Sequence, residues 1–159
     1  MGRYSRQEML QAFDTYKEAR DEASRSGDWS IWARLFTEDA HYIEHAYGEI
    51  DGRQAIEDWI VGVMAPFPTM TFPQDWWVLD EERDAVVFCC QNTFPEPFRH
   101  DGTPYAFPNW TRLEYAGNGK WKSEEDIYNP RRDAPQVFKD WVKAGGKVES
   151  RERVHMVHR

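Results

Sequence analysis

The order of apolar and polar positions along the chain predicts helices first and strands afterwards. Apolar residues recur three or four positions apart, the spacing of one face of a helix, in several segments. Ser5 and Glu8 form a capping box at the start of the first segment, and Gly27 follows its last residue, as glycine commonly does after a helix. The predicted helices are residues 5–26, 28–37, 53–63 and 135–143.

Strand-like segments and turn residues occupy most of the remaining chain. Asp101-Gly102 and the Gly117–Gly119 segment are typical of tight turns between antiparallel strands. The predicted strands are residues 40–46, 76–80, 85–94, 105–115 and 120–128. This order of elements indicates an α+β fold, a cone-shaped half-barrel in which N-terminal helices cover a curved antiparallel sheet and enclose a cavity.

A chain of 159 residues has the length of one domain. We expect the domain to comprise residues 1–145 and a C-terminal tail to comprise residues 146–159. The tail holds the only concentration of basic residues in the chain. Two interpretations of it stay open, a solvated end and a segment that packs on a partner subunit.

The strand predicted at 40–46 carries polar groups on both faces. Tyr42 and Glu44 share one face, and His41, Ile43 and His45 share the other, because neighbouring strand residues point to opposite sides. Ile43 is apolar, which favours an inward position for the face that carries the two histidines. Tyr42 favours an inward position for the face that it shares with Glu44. The pattern therefore leaves the inward face of this strand open.

Composition and net charge limit the kinds of molecule that the protein is expected to bind. Aromatic residues make up 15% of the chain and include eight tryptophans, which suits a pocket for a flat or greasy molecule as well as an ordinary aromatic core. A net charge of −8 argues against nucleic-acid binding, which needs a basic face. The sequence has no long apolar run, so we expect no membrane contact and a cytoplasmic protein.

The two cysteines, Cys89 and Cys90, are adjacent in a predicted strand. Their side chains should point to opposite faces, and disulfides between neighbours are strained, so we expect two free thiols in a reducing compartment. No His, Cys or carboxylate group with zinc spacing surrounds them. We expect no metal site.

Several short segments, in their order and spacing, resemble the nuclear transport factor 2-like superfamily and its SnoaL-like branch. The resemblance covers roughly residues 4–128 and rests on Gly27-Asp28, the run LFTEDA at 35–40, Gly52-Arg53 with Ile56, and the Trp121–Tyr128 strand. It implies a cone-shaped α+β barrel and often a homodimer. The superfamily includes ketosteroid isomerases, polyketide cyclases, scytalone dehydratase, limonene epoxide hydrolase and proteins without catalysis, so the fold alone does not assign a function.

The resemblance also implies positions for site residues. The general base of ketosteroid isomerases falls on Glu44, and its oxyanion acid falls near Thr111, with Asn109 on the same face. The water-holding residues of limonene epoxide hydrolase match Tyr42 and Glu44, and its last-strand aspartate matches Asp126. The middle-strand Arg and Asp of that hydrolase fall near Cys90 and Asn92, which argues against epoxide hydrolysis.

These positions suggest a pair of carboxylates in an aromatic cavity. Desolvation would raise the pKa of at least one of them into a range useful for proton transfer. We assign Glu44 as the proton acceptor with Asp126 or His45 as its partner. The residues expected to bind substrate are Tyr42, Asn109, Tyr16 and Trp59, with Asn109 donating to a developing enolate oxygen.

Structural interpretations of the same residues stay open. Glu44 would then pair with Arg53 or Arg112 at the mouth of the barrel, and Glu124 and Asp126 would be solvated. Our hypothesis is a protein that binds a hydrophobic small molecule, with a polyketide-like or steroid-like ring system, and performs isomerisation, cyclisation or dehydration without a cofactor. The alternative is a non-catalytic ligand-binding or dimerisation module, whose cavity its own tryptophans would fill.

Overall fold

The structure is a computed structural model that describes residues 2–151 and 154–157. Its helices are α1 (Arg6–Ser26), α2 (Ser30–Ala33), α3 (Arg53–Met64) and α4 (Asp133–Lys143). Its strands are β1 (Phe36–Glu44), β2 (Gly48–Asp51), β3 (Gln74–Asp80), β4 (Ala85–Thr93), β5 (Ala106–Gly117) and β6 (Lys120–Ile127). The predicted α+β class is confirmed.

The strands form one curved, open sheet in the order β2-β1-β6-β5-β4-β3. Strands β3 to β6 follow one another through turns and are therefore antiparallel. Strand β1 runs parallel to β6, a pairing that needs a long connection, and here α3 and the β3–β5 meander supply it. The sheet is thus mixed, where the sequence predicted antiparallel strands only.

The segment before the expected first strand differs most from the prediction. The helix expected at 28–37 is a single turn, and β1 begins at Phe36 rather than at residue 40. The backbone N–H of Trp121 donates to the Leu35 carbonyl at 2.9 Å, which draws this segment into the sheet. The loop expected at 48–52 contains β2, which pairs antiparallel with β1 from Gly48 onward.

Helix α1 has the predicted ends. The Ser5 hydroxyl accepts a hydrogen bond from the Glu8 backbone N–H at 3.2 Å. Gly27 adopts a left-handed conformation at φ 76°, and its N–H donates to the Ala23 carbonyl at 2.8 Å. The buried face of α1 packs on the concave side of the sheet, where Phe13 lies 5.3 Å from Phe88 between ring centres. Aromatic rings therefore line the space between the helices and the concave face of the sheet.

The two cysteines are free and buried, as the sequence predicted for their thiols. Cys90 belongs to the core on the concave face, and the Cys89 thiol approaches Asp75 from the other side of the strand. None of the described helices combines the length and the apolar character that a membrane span requires.

Part of the C-terminal tail contacts its own domain. The Glu149 backbone N–H donates to the Pro66 carbonyl at 2.7 Å. The Val157 side chain lies over Gly48, with Cγ2 3.3 Å from the position that a Cβ would occupy there. Met1 and, in the tail, residues 152–153 and 158–159 lie outside the described residues.

Candidate active site

A cavity of about 150 Å³ lies between the concave face of the sheet and the helices. Aromatic and aliphatic side chains supply most of its wall, and a cluster of polar side chains from β1, β5 and β6 supplies one side. The lining includes Tyr16, Arg20, Trp29, Trp32, Tyr42, Glu44, Tyr47, Trp59, Phe67, Phe72, Asn109, Thr111, Glu124, Asp126 and Tyr128. The space is not filled by the protein's own tryptophans.

The pairing of β1 with β6 decides which face of β1 points inward. Tyr42 stands opposite Glu124 and Glu44 stands opposite Asp126 in the parallel register. Both tyrosine and glutamate are buried, at 2% and 4% exposure. The inward face of β1, which the sequence left undecided, is therefore the face that carries Tyr42 and Glu44. It brings these two side chains together with Glu124 and Asp126.

Asp126 is surrounded by hydrogen-bond donors. Its Oδ1 accepts from the Asn109 side-chain amide at 2.8 Å and from the Thr111 hydroxyl at 2.5 Å. Its Oδ2 accepts a short hydrogen bond from the Tyr42 hydroxyl. Three hydrogen-bond donors thus converge on the one carboxyl group of Asp126.

Glu124 lies deeper than Asp126 and is 3% exposed. The Tyr16 hydroxyl lies 3.0 and 3.1 Å from its two carboxyl oxygens, and the Tyr42 hydroxyl lies 3.1 Å from Oε1. Burial raises the pKa of Glu124 well above its usual value, and the charge of Asp126 raises it further. The surroundings of Glu124 therefore favour its protonated form.

The sequence did not assign a catalytic or binding role to Glu124. The interpretation that Glu124 is solvated is wrong, because the residue is buried. The signal was present, because residues two apart in a strand share a face and Asp126 was expected to point inward. The same rule places Glu124 inward.

The Tyr42 hydroxyl joins the two carboxyl groups. Burial raises the pKa of Tyr42 and of Tyr16 well above their usual values, so both phenols keep their hydrogens. Tyr42 has one hydrogen and two carboxyl neighbours, so only one of them can receive it. With a proton on Glu124, its carboxyl group donates to the Tyr42 oxygen, and the Tyr42 hydrogen is then donated to Asp126.

Glu44 lines the cavity but also holds a turn. Its Oε2 accepts from the backbone N–H groups of Ala46 and Tyr47, both at 2.7 Å, at the β1–β2 hairpin. Burial raises its pKa, and hydrogen bonds from Tyr128 and from those two N–H groups act in the opposite direction.

The expected ion pairs of Glu44 are wrong. Arg53 pairs instead with Glu38 at 3.4 Å, and Arg112 pairs with Glu114 at 2.5 Å.

His45 lies on the opposite face of β1 from the cavity. Its Nε2 is 3.0 Å from Glu125 Oε1, and the side chain is about half exposed. His41, on the same outer side, lies 2.7 Å from Asp51. The structure therefore does not bring His45, one of the three residues expected to act in catalysis, to Asp126 and Glu44.

The expected substrate-binding residues Tyr42, Tyr16, Trp59 and Asn109 all line the cavity. Trp59 packs on Tyr42, with ring centres 4.9 Å apart. The Asn109 amide nitrogen donates to both Asp126 and Thr111. Its Oδ1 is buried and has no hydrogen-bond partner among the described residues. Asn109 thus orients Asp126 and offers the cavity an acceptor.

A buried cation, Arg20 of α1, also lines the cavity, and sequence reasoning did not select it. The sequence pattern that could have identified it is helical spacing, since residue 20 follows the buried residues 13 and 16 at intervals of seven and four. Within residues 2–151 and 154–157, no group of three His, Cys, Asp or Glu side chains is placed to hold a metal ion.

The fold is shared with solved structures of low sequence identity. An NTF2-like protein of Anabaena variabilis has a TM-score of 0.61 at 18% identity, over 84% of this chain and 98% of that one. A protein of Jannaschia sp. CCS1 assigned as a SnoaL-like polyketide cyclase has a TM-score of 0.62 at 16% identity, over 90% and 99%. An LEH-like epoxide hydrolase of M. tuberculosis has a TM-score of 0.64 at 14% identity, over 87% and 94%.

A comparison with curated protein sequences finds no match. The sequence model of the SnoaL-like domain matches residues 17–124, which run from α1 through the buried Glu124. This match covers more than half of the chain and agrees with the topology and with the resemblance of the sequence. The chain belongs to the SnoaL-like domain family.

Proposed function

We propose that the protein binds a small hydrophobic molecule in the cavity and catalyses a proton transfer on it without a cofactor, as an isomerase, cyclase or dehydratase. The observation that carries this proposal is the Tyr42 hydroxyl shared by Glu124 and Asp126 at the wall of an aromatic cavity. Two carboxyl groups in different protonation states form an acid and a base at neutral pH.

In this account Asp126 is the base. It accepts a proton from a carbon next to a carbonyl group and returns it at another carbon, which completes an isomerisation. For a dehydration, Asp126 takes the C–H proton and no longer needs the hydrogen of Tyr42. The Tyr42 hydroxyl then gives that hydrogen to the leaving hydroxyl, which departs as water, and takes the proton of Glu124 in its place. Glu44 holds the hairpin at the cavity and takes the role of a supporting group rather than that of the primary base.

The cavity volume favours a single ring or a molecule of similar size. A cavity of about 150 Å³ in a protein interior is enough for benzene, and drug-sized ligands occupy pockets of about 300–1,000 Å³. A four-ring steroid would need the helices to move apart. We therefore propose a monocyclic substrate rather than a steroid.

A screen of monocyclic enones tests the proposal, with quenching of tryptophan fluorescence reporting binding and isomerisation reporting turnover. Asp126→Asn should retain quenching and lose about 10²–10⁴-fold in kcat, the usual range for general acid–base catalysis. Glu125→Gln is the matched control, because Glu125 lies between the two carboxyl residues and points to the outer face. Equal turnover by wild type and Asp126→Asn would overturn the proposed base.

The alternative function is non-catalytic ligand binding. The three donors around Asp126 favour this alternative, because their hydrogen bonds occupy the carboxyl oxygens that would have to accept a proton from a substrate. Saturable quenching by ring compounds without turnover of any of them, by wild type or variants, would support this alternative and contradict the enzyme.

We also propose a homodimer that forms through the outer face of the sheet. A row of paired residues crosses β3, β4, β5 and β6 there: Trp76, Cys89, Trp110 and Ile127. Trp76, Trp110 and Ile127 are 39%, 52% and 52% exposed, which is unusual for large apolar side chains gathered on one face. A cytoplasmic location is proposed as well, because both thiols are unpaired.

A further inference from the structure

Arg20 is a buried charged residue whose hydrogen-bonding capacity is largely unused. Its side chain points from α1 into the cavity, and the residue is 6% exposed. One guanidinium nitrogen, Nη2, donates to the Phe72 carbonyl at 3.1 Å. The buried Nε has no hydrogen-bond partner among the described residues. A planar guanidinium has five N–H donors, so most of the donors of Arg20 have no protein partner in the described residues.

The surroundings of Arg20 are aromatic rather than acidic. The guanidinium carbon lies 5.4–5.5 Å from the ring centres of Tyr16, Phe72 and Phe88. Arg20 forms no ion pair of 4.0 Å or less with a carboxylate of the described residues. A buried charge without a close counter-charge is costly, so the site favours an incoming electron-rich atom.

Arg20 also lies close to the carboxyl cluster. Tyr16 precedes it by four residues on the same face of α1, and one helical turn advances about 5.4 Å. The Tyr16 hydroxyl reaches Glu124 at 3.0 Å. The same cavity is therefore lined by a cation and by the carboxyl groups of Glu124 and Asp126.

We propose that Arg20 binds the carbonyl oxygen of the substrate and stabilises the negative charge that this oxygen acquires when Asp126 removes a neighbouring proton. This inference rests on the proposed function and names the substrate class, a monocyclic ketone, enone or related carbonyl compound with an acidic C–H bond. The C–H bond breaks, its proton goes to an Asp126 oxygen, and its electron pair forms the enolate double bond with the charge on oxygen. Return of the proton to another carbon restores the carbonyl group.

Charge balance favours a carbonyl compound over a ligand that is already a carboxylate. A carboxylate would bring a further negative charge into a cavity that is already lined by three carboxyl groups. Proton transfer from a neutral carbonyl compound moves one negative charge from Asp126 to the oxygen at Arg20 and adds none. The rings around Arg20 also favour a planar molecule, because flat faces pack on them.

Binding of 4-nitrophenol tests this inference without any turnover. Its ionised oxygen resembles an enolate oxygen, and the ionised form is yellow. We expect wild type, at a pH where the free compound is mostly neutral, to bind it in the yellow form. The methyl ether 4-nitroanisole cannot ionise and should bind at least tenfold more weakly.

Variants of two arginines on the same helix complete the test. Arg20→Met should bind 4-nitrophenol at least tenfold more weakly and without the yellow form, and Arg20→Lys should keep part of the ionisation. Arg25→Met is the control, since Arg25 is exposed and pairs with Glu22. Equal affinity and colour in wild type and Arg20→Met, or no binding by wild type, would overturn the role of Arg20.

Two further outcomes separate this inference from the proposed function. If Arg20→Met does not fold, as judged by circular dichroism, equal affinity of wild type for 4-nitrophenol and 4-nitroanisole still overturns the inference. Asp126→Asn should lose turnover yet bind the phenolate at least as tightly as wild type, because a negative charge has been removed. Turnover that survives in Arg20→Met at the wild-type rate would refute Arg20 alone and leave the acid–base pair intact.

Discussion

The Tyr42 hydroxyl contacts two carboxyl groups with a single hydrogen, so Glu124 and Asp126 cannot be equivalent. Asp126 has two further donors, and Glu124 has the deeper burial. We infer from these differences that the proton of the pair resides on Glu124. Both residues are ordinary by type, and their unequal surroundings on either side of a common hydrogen-bond partner would make them the acid and the base of the proposed reaction.

The raised pKa of Glu124 predicts how stability depends on pH. Because its pKa is higher in the folded than in the unfolded chain, the folded chain retains a proton that the unfolded chain releases above about pH 4.3. The free energy of unfolding therefore falls as the pH rises from there toward the folded pKa. Glu124→Gln cannot titrate, so urea unfolding between pH 4 and 8 should show a shallower fall, with Glu125→Gln keeping the wild-type slope. A Glu124→Gln slope equal to that of wild type would contradict a protonated Glu124.

Tyr42→Phe should weaken both stability and activity. It removes the donor to Asp126 Oδ2, and a buried acceptor without its partner costs about 1–3 kcal/mol. We expect urea unfolding to show that loss and kcat to fall by at least tenfold. Tyr105→Phe is a suitable control, because the Tyr105 ring packs under Arg99 away from the carboxyl groups. A Tyr42→Phe variant as stable and active as the control would contradict a linking role for the hydroxyl.

At the scale of single residues, the sequence located Asp126 and Tyr42 but not Glu124 or Arg20. Both omissions have the same physical origin. A charged side chain is solvated far more often than buried, so a glutamate in a run of acidic residues and an arginine in a charged helix favour the solvent-exposed interpretation. Strict use of strand and helix periodicity would have placed both residues inward.

Among the elements, strand β1 determines how the site is assembled. A shift of one residue in its pairing with β6 would turn Tyr42 and Glu44 outward and bring His41 and His45 inward. The sequence of β1 could not fix this choice, because both faces carry polar and apolar groups. The parallel pairing with a strand about 80 residues later decides it, and no local pattern contains that information.

The hydrogen bonds that Glu44 accepts in the turn after β1 predict that it contributes to stability more than to catalysis. Glu44→Ala removes the acceptor of two backbone N–H groups and should cost about 1–3 kcal/mol of unfolding free energy. Glu44→Gln retains an oxygen acceptor, so we expect a smaller loss and a kcat within about threefold of wild type. A drop in kcat for Glu44→Gln as large as that for Asp126→Asn, with the fold intact, would return the role of base to Glu44.

At the scale of the whole molecule, the order of helices, turns and strands was enough to predict an α+β half-barrel. The cavity volume was not predictable, because it depends on which of the many aromatic rings turn into the space and which pack against each other. Trp121 is fully buried in the core, whereas Trp76 and Trp110 lie on the outer face. A composition rich in tryptophan is compatible with all of these positions.

The apolar outer face predicts the oligomeric state. Light scattering coupled to size exclusion should give the mass of a dimer for wild type at micromolar concentrations. Trp110→Lys should shift it toward the monomer, because a charge would be buried in the contact. Val61→Lys is the control, since Val61 is an exposed residue of α3. A monomeric wild type, or a Trp110→Lys variant that stays dimeric, would contradict this interface.

The proposed reaction requires that Glu124 is protonated and that Asp126 is ionised at neutral pH. Infrared spectroscopy can observe the protonation state of buried carboxyl groups. A protonated buried carboxyl group has a C=O stretching band well separated from the bands of carboxylates, and ¹³C-labelled glutamate identifies its residue type. We predict such a glutamate band at pH 7 that disappears in Glu124→Gln and persists in Glu44→Gln and Asp126→Asn. A spectrum without a protonated glutamate, or a band that Glu124→Gln leaves unchanged, would contradict the account.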